Sequence, residues 1–387
     1  MKSVVKWGLR LCLALLLAGA VVGVAKREEI TRLMAVNSLF EEDRIVRNFS
    51  NMRALFHATP VPRGDGPVTP LPVGPAMTLP PGVAAWIEDR AVTSLLVLHE
   101  GRIVHESYHL GTNPDDRRIG WSIAKSFLSA LFGIIEAEGA ITSLDDPVTD
   151  YVPRLQGSAY DGVTIRQVLQ MTSGIEFDED YLDYDSDINR MGRVLALGGT
   201  MDGFAAGLAE RVAPPGEHWH YVSIDTHVLG MVVRAATGRD LPSLLSEKVI
   251  APLGLEAEPY YITDGEGVAF ALGGLNLTTR DYARFGLMFA QGGRYAGQQI
   301  VPPDWVRAST APSAPTPPGK IRYGYQWWIP KDGPGDVFLA RGIYGQYIYI
   351  DPARDVVIVT TGADRAFRED GVHEANIAVF RQIAAAL

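Results

Sequence analysis

Ser122 and Lys125 stand three positions apart in Gly120-Trp121-Ser122-Ile123-Ala124-Lys125-Ser126-Phe127-Leu128. Residues three apart share a helix face, so on a helix the hydroxyl and the amine point into the same space. The chain continues through Ala130, Leu131, Phe132, Ile134 and Ile135, apolar nearly all round, which predicts an interior helix. A lysine carried inward loses hydration, and its pKa falls. Once neutral near pH 7, it can take the proton of a serine and turn that serine into a nucleophile. The spacing alone is a weak signal, because Ser3-Val4-Val5-Lys6 has it too. What separates the two copies is burial, since a lysine seldom sits in an interior without a task. The third candidate is Tyr221, in Tyr221-Val222-Ser223 just after Pro214-Pro215-Gly216. A phenol bonded to a neutral lysine can relay a proton to a leaving group. The plainer reading is a core tyrosine with its hydroxyl in water. Tyr184-Asp185-Ser186 has the same spelling but lies in the acidic stretch from Phe177 to Asp187, which reads as a loop.

The elements that must position these groups are legible in outline. Val92 to Leu98 and Arg102 to Tyr108 flank His99-Glu100-Gly101 and predict a hairpin. The Ser122 helix follows and ends at Gly139. Residues 141–270 carry mostly helical and loop signals: Thr164 caps a short helix to Met171, and helices are expected over Ile224 to Ala236 and Leu241 to Ile250. Thr278 caps another. Late strands are expected at Tyr323 to Ile329, Val337 to Arg341, Tyr344 to Ile350 and Val356 to Thr361, before a closing helix over 372–386. The fold class is therefore α+β, with one antiparallel sheet of about five strands. The sheet part takes residues 82–120 and 273–387, and an inserted helical part takes 121–272. Ser122 falls at the seam between them, where ligand clefts commonly form.

Residues 1–25 read as an export signal or N-terminal anchor. Lys2, Lys6 and Arg10 precede an uninterrupted apolar run from Leu11 to Ala25. The protein is therefore expected to be exported, to a periplasm in a Gram-negative source, either free or tethered. Residues 26–81 form an arm, helical or extended, followed by a proline-rich linker at 58–81. The main domain is expected to take residues 82–387. The single cysteine, Cys12, lies in the leader, so the mature chain offers neither a disulfide nor a thiolate. The eight histidines show no metal-ligand spacing, and neither a metal nor another cofactor is expected. A net charge of −10 argues against nucleic acid as a partner. With 387 residues, 47% of them hydrophobic, the chain can bury a large core.

Several further motifs occur in order: Leu169-Gln-Met-Thr-Ser-Gly174, Asp225-Thr-His-Val-Leu-Gly230, Thr279-Arg-Asp-Tyr-Ala-Arg-Phe-Gly286, Tyr323-Gly-Tyr-Gln-Trp-Trp328 and Tyr344-Gly-Gln346. With Ser122-Ile-Ala-Lys125 and Tyr221-Val-Ser223, the chain resembles the serine β-lactamase and penicillin-binding-protein superfamily. The likeness is to its class C-like branch of esterases and amidases, and within that to the aminohexanoate-dimer (nylon-oligomer) hydrolases. The resemblance implies a β-lactamase/transpeptidase-like fold and an acyl-serine mechanism on a small ester or amide. Ser122 would be the nucleophile, Lys125 the base and Tyr221 the proton relay. The backbone N–H groups of Ser122 and Ile343 would hold the oxyanion, and Ser223 would bond Lys125 or line the pocket. Tyr181, Asp185, Trp327 and Tyr344 are candidates to border the cleft, with sheet packing as the competing role for Trp327.

One departure limits the likeness. Where β-lactamases and transpeptidases carry Lys-Thr-Gly on the strand lining the site, the counterpart here is Ala340-Arg341-Gly342. Strand side chains alternate, so if Gly342 faces the site, Arg341 faces away. An ester or open-chain amide is then the expected substrate. A penicillin-recognising D,D-carboxypeptidase or β-lactamase is the alternative, and a catalytically idle envelope-binding protein is the alternative of another class.

Overall fold

Val92 to His99 sends successive side chains to opposite faces of a sheet, and both faces are covered. Leu95 and Val97 enter one apolar cluster, Leu96 and Leu98 the other. The computed structural model describes residues 2–332 and 336–387. Its main sheet is antiparallel. From edge to edge the strands are Arg102–Tyr108, Val92–His99, Val356–Gly362, Gln346–Asp351, Phe338–Gly342, Trp328–Ile329 and Arg322–Tyr323. One face packs against the helices Val83–Asp89 and Val372–Ala385 through Trp86, Ile377, Phe380 and Ile383. The other packs against Ile123–Ala137 and Thr279–Ala290, where the rings of Phe127 and Phe285 stack 3.6 Å apart. The fold is α+β, as expected.

The sheet has seven strands where about five were expected, because Tyr323 to Ile329 is two two-residue strands joined by a turn. A second antiparallel sheet was not anticipated. It orders Ala58–Pro60, Tyr260–Ile262, Leu275–Leu277 and Arg118–Ile119. It draws one strand from the proline-rich linker and one from the stretch expected to be helical. Strands of two or three residues are too short to show alternation, which is why they leave no trace in the sequence. This small sheet matters for the site. Arg118–Ile119 runs directly into Gly120-Trp121-Ser122, and the Gly120 N–H donates to the Leu275 carbonyl at 3.0 Å.

The N-terminal region is helical: Lys2–Ala25, then Arg27–Asn37, Ile45–Ser50 and Met52–Leu55. Val5–Ala25 is 21 residues long and contains an 18-residue stretch with a mean hydropathy of 2.2, long and apolar enough to cross a membrane. The arm that follows docks on the body. Arg32 donates to the Ala196 carbonyl at 2.9 Å, and the Phe40 ring stacks on Tyr344 with centroids 4.8 Å apart.

Candidate active site

The Ser122 helix spans Ile123–Ala137, and every residue from Ile123 to Ile135 is buried. Ser122 is its N-cap position, yet the side chain makes no capping hydrogen bond, so the hydroxyl is free for other work. Trp121, just before it, has φ +47°, a conformation that non-glycine residues rarely adopt. Strain of this kind is held in place by its surroundings. Here Phe40 and Phe49 pack on the indole, with centroids 5.7 and 5.4 Å away.

Lys125 is 1% exposed, and its Nζ donates to the Leu272 carbonyl at 2.7 Å. Burial pulls its pKa down to about 7, against the opposing pull of Glu179 and Asp225. The amine lies 5.5 Å from the centroid of the Tyr221 ring. Tyr221 is held by Trp328, whose ring stacks on it at 5.1 Å. Its hydroxyl faces Ser122 and Ser223, and burial, reinforced by the charge of Glu179, keeps the phenol protonated well above its usual range.

Two carboxyls stand behind these groups. Glu179 Oε1 accepts the Ser223 N–H at 2.5 Å and Oε2 accepts the Tyr181 hydroxyl at 2.9 Å. Burial raises its pKa, and Lys125 opposes the rise. Asp225 is fully buried, accepts the Tyr160 hydroxyl at 2.7 Å, and is pushed up to about 8 by burial. Asp225 sits four residues after Tyr221, at the first turn of the helix Ser223–Thr237, which turns it toward the same interior.

The strand Phe338–Gly342 closes the other side. A β-carbon on Gly342 would lie 2.2 Å from the Gly120 carbonyl oxygen, so only glycine lets the strand approach this closely. Ile343 follows immediately. Among the described residues, neither the Ser122 nor the Ile343 N–H has a protein acceptor, and both residues line one cavity of about 80 Å³. Two unpaired N–H groups beside a hydroxyl can receive the oxygen of a carbonyl under attack.

A model of the beta-lactamase family matches residues 83–379. The chain belongs to the beta-lactamase family. As a member it is a serine hydrolase, of the amidase-like kind. It is similar to the 6-aminohexanoate-dimer hydrolase of Paenarthrobacter ureafaciens, with 33% identity over 80% of this chain and 83% of that one. Among solved structures it is similar to a putative 6-aminohexanoate-dimer hydrolase from Bacillus anthracis, with TM-score 0.80 and 26% identity over 89% of this chain and 95% of that one. It also shares its fold with a penicillin-binding protein homologue from Pyrococcus abyssi, with TM-score 0.59 and 22% identity over 77% and 76% of the two chains.

Within this family frame, the residues singled out from the sequence divide into two groups. Ser122, Tyr181, Ser223 and Ile343 line the cavity, with Lys125 and Tyr221 beside them. Ser223 lines the pocket, while the Lys125 amine is bonded to Leu272. Three other placements differ from expectation. Trp327 is 0% exposed, packed among Phe285, Phe289 and Phe338, so it is core rather than a cleft border. Asp185 is exposed in its loop, with its N–H on Asp183, and does not line the cavity. Tyr344 is buried behind the wall, between Phe40 and Phe367. Arg341 lies on the opposite face from Gly342, its guanidinium 5.3 Å from the Trp328 ring centroid, and does not line the cavity. Sequence reasoning did not single out Glu179, Asp225, or the cavity wall contributed by the arm. A buried carboxyl within one turn of Tyr221 was the available signal for Asp225. Nothing in the loop distinguishes Glu179 from its acidic neighbours.

Proposed function

We propose that this chain is an exported serine hydrolase that cleaves a small ester or open-chain amide through an acyl-serine intermediate. The observation that carries the reading is that Ser122 and Ile343, whose N–H groups are unpaired among the described residues, line one cavity, with a buried lysine poised at about 7 one helical turn from Ser122. Neutral Lys125 takes the Ser122 proton as Oγ adds to the substrate carbonyl carbon. The oxygen of that carbonyl, now carrying the negative charge, is held by the N–H groups of Ser122 and Ile343. Such a donor is worth about 2.7–4 kcal/mol of transition-state stabilisation. As the intermediate collapses, the bond to the leaving group breaks. Tyr221 gives that group its proton and is reprotonated from Lys125. Water then adds to the acyl-serine with Lys125 and Tyr221 accepting its proton, and Ser122 is regenerated as the carboxylic acid departs. Glu179 acts through Lys125, since a negative charge there opposes the loss of the lysine proton, while Asp225, pushed up to about 8, is mostly uncharged where Lys125 works.

The open-chain substrate class is supported by the printed activity of the 33%-identical relative and by Ala340-Arg341-Gly342 standing where β-lactamases carry Lys-Thr-Gly. Export is supported by Lys2, Lys6 and Arg10 ahead of the uninterrupted apolar run from Leu11 to Ala25. The test is a panel of p-nitrophenyl acetate, an N-acyl p-nitroanilide and nitrocefin on wild type beside Ser122→Ala. Wild type is expected to hydrolyse the first two, Ser122→Ala neither, and nitrocefin is expected to survive. Equal turnover by Ser122→Ala, or nitrocefin as the preferred substrate, would overturn the reading.

A further inference from the structure

The cavity at Ser122 has a roof supplied by the N-terminal arm. Val36, Leu39, Phe40, Met52 and Phe56 line it from one side, opposite Ser122 and Ile343. Met191 and Leu195, on the helix Asp187–Ala196, form its far wall. Among the described residues, no Asp, Glu, Lys or Arg side chain lines it. The polar side chains that do are Ser122, Tyr181, Ser223, Asn189 and Trp121, whose indole N–H has no partner among the described residues. Asn189 has its amide nitrogen on the carbonyls of the loop, at 2.6 Å from that of Asp183. Glu179 stands behind this lining, its Oε1 accepting the Ser223 N–H and its Oε2 the Tyr181 hydroxyl, and is not itself part of it. Asp180 is engaged outward with Arg368.

The position of this chamber relative to the chemistry says which part of a substrate it receives. Its lining includes both residues whose N–H groups would hold the oxyanion, but not Tyr221, which stands on the leaving-group side. We infer that the chamber binds the acyl portion of the substrate, and that it selects an uncharged apolar acyl chain. The inference rests on the acyl-serine reading above. An ammonium at the end of the acyl chain would have to shed its water against a lining that offers no carboxylate, which is strongly unfavourable. A methyl at the same place gains contact with the arm. The relatives named as 6-aminohexanoate-dimer hydrolases act on an amide whose acyl part ends in an amine. The chemistry of this chamber therefore points this chain to a different substrate within the same reaction class.

The arm residues are thereby specificity determinants. Val36 is suited to a test because it is only partly buried, at the end of the helix Arg27–Asn37, so a charge placed there can be solvated while the chain folds. Leu39 is 4% exposed and forms a deeper part of the roof.

The experiment measures kcat/KM for the p-nitrophenyl esters of acetate, butyrate, heptanoate and 6-aminohexanoate. The last two differ only in a terminal methyl against an ammonium. In wild type, heptanoate is expected to exceed acetate by at least tenfold, each methylene contributing roughly threefold, and to exceed 6-aminohexanoate by a similar factor. Val36→Asp is expected to lower the heptanoate to 6-aminohexanoate ratio at least fivefold. Leu39→Ala is expected to lower the heptanoate to acetate ratio. Both readouts are ratios within one preparation, so partial loss of folded enzyme cancels. If wild type handles all four esters within threefold, or if neither variant moves its ratio, the inference is overturned while the serine mechanism stands. If no ester is hydrolysed in a Ser122-dependent way, the mechanism fails and the inference falls with it.

Discussion

Gly342→Ala separates the two halves of the oxyanion site by a known amount. The new β-carbon would sit 2.2 Å from the Gly120 carbonyl oxygen, and such a contact does not close below 3.0 Å, so strand and turn must part by at least 0.8 Å. The obstacle is backbone, which has no rotamer to escape into. It lies between the residue before Ile343 and the residue two before Ser122, so the displacement falls on the distance between the two N–H donors. A misplacement of about 1 Å at a reacting centre can lower the rate roughly a hundredfold. Losing one oxyanion donor altogether lowers kcat by about 10²–10³. We therefore expect kcat for p-nitrophenyl butyrate to fall about a hundredfold while KM stays within roughly threefold, because the apolar walls from the arm and from Asp187–Ala196 are left in place. Overpacking also destabilises, by about 1–3 kcal/mol, so a control is needed. Gly286→Ala supplies it. Its β-carbon would meet the side chains of Ile348 and Val357 at 2.7 Å, in the packing of Thr279–Ala290 on the main sheet. The two variants should lose comparable melting temperature, but only Gly342→Ala should lose kcat. If Gly342→Ala stays folded and retains more than a third of wild-type kcat, the argument that this contact sets the donor geometry is wrong.

Other outcomes follow from the same geometry. Lys125 must be neutral to act as base and is held at about 7. The activity kcat/KM should rise through one ionisation near pH 7 to a plateau, falling about tenfold per pH unit below it, and an acid limb at pH 9 or above would contradict this. Tyr221→Phe should slow an anilide by about a hundredfold and a p-nitrophenyl ester much less, since nitrophenolate leaves without a proton. Equal losses on the two substrates would remove Tyr221 from the proton path. Asp225 ionises at 3.8 when unfolded and at about 8 in the fold, so the unfolded chain holds fewer protons and wild type loses stability as pH rises from 4 to 8. Melting temperatures should show Asp225→Asn gaining on wild type between pH 5 and pH 8, whereas a constant difference would argue against a raised pKa. Trp327→Ala should lower stability in urea by about 3–5 kcal/mol with little change in KM, as befits a core residue and not a cleft border.

The placements legible in the sequence were those backed by a periodic element. Ser122 and Lys125 are related by helical spacing on a helix whose apolar surround is visible residue by residue. Tyr221 follows a proline-forced break and opens the next helix. The placements that were not legible fall where periodicity stops. Between Phe177 and Ile188 the chain has six acidic residues, and in a loop no rule says that Glu179 turns inward while Asp185 stays in water. Trp327 and Trp328 are neighbours at the start of a two-residue strand, too short to show which ring enters the core. The arm was read as helical or extended, and its role as a roof depends on neighbours remote in sequence, such as Trp121 and Tyr344, against which Phe40 packs. The small sheet was missed for the same reason: Ala58–Pro60 and Tyr260–Ile262 pair across some two hundred residues with three residues each.

The central claim is that Ser122 is the nucleophile. Incubation with a fluorophosphonate, followed by intact-mass and peptide mass spectrometry, tests it directly. The account predicts one adduct per chain, located on Ser122, absent from Ser122→Ala, and forming faster as pH rises through 7. An adduct on another residue, or equal labelling of Ser122→Ala, would contradict it.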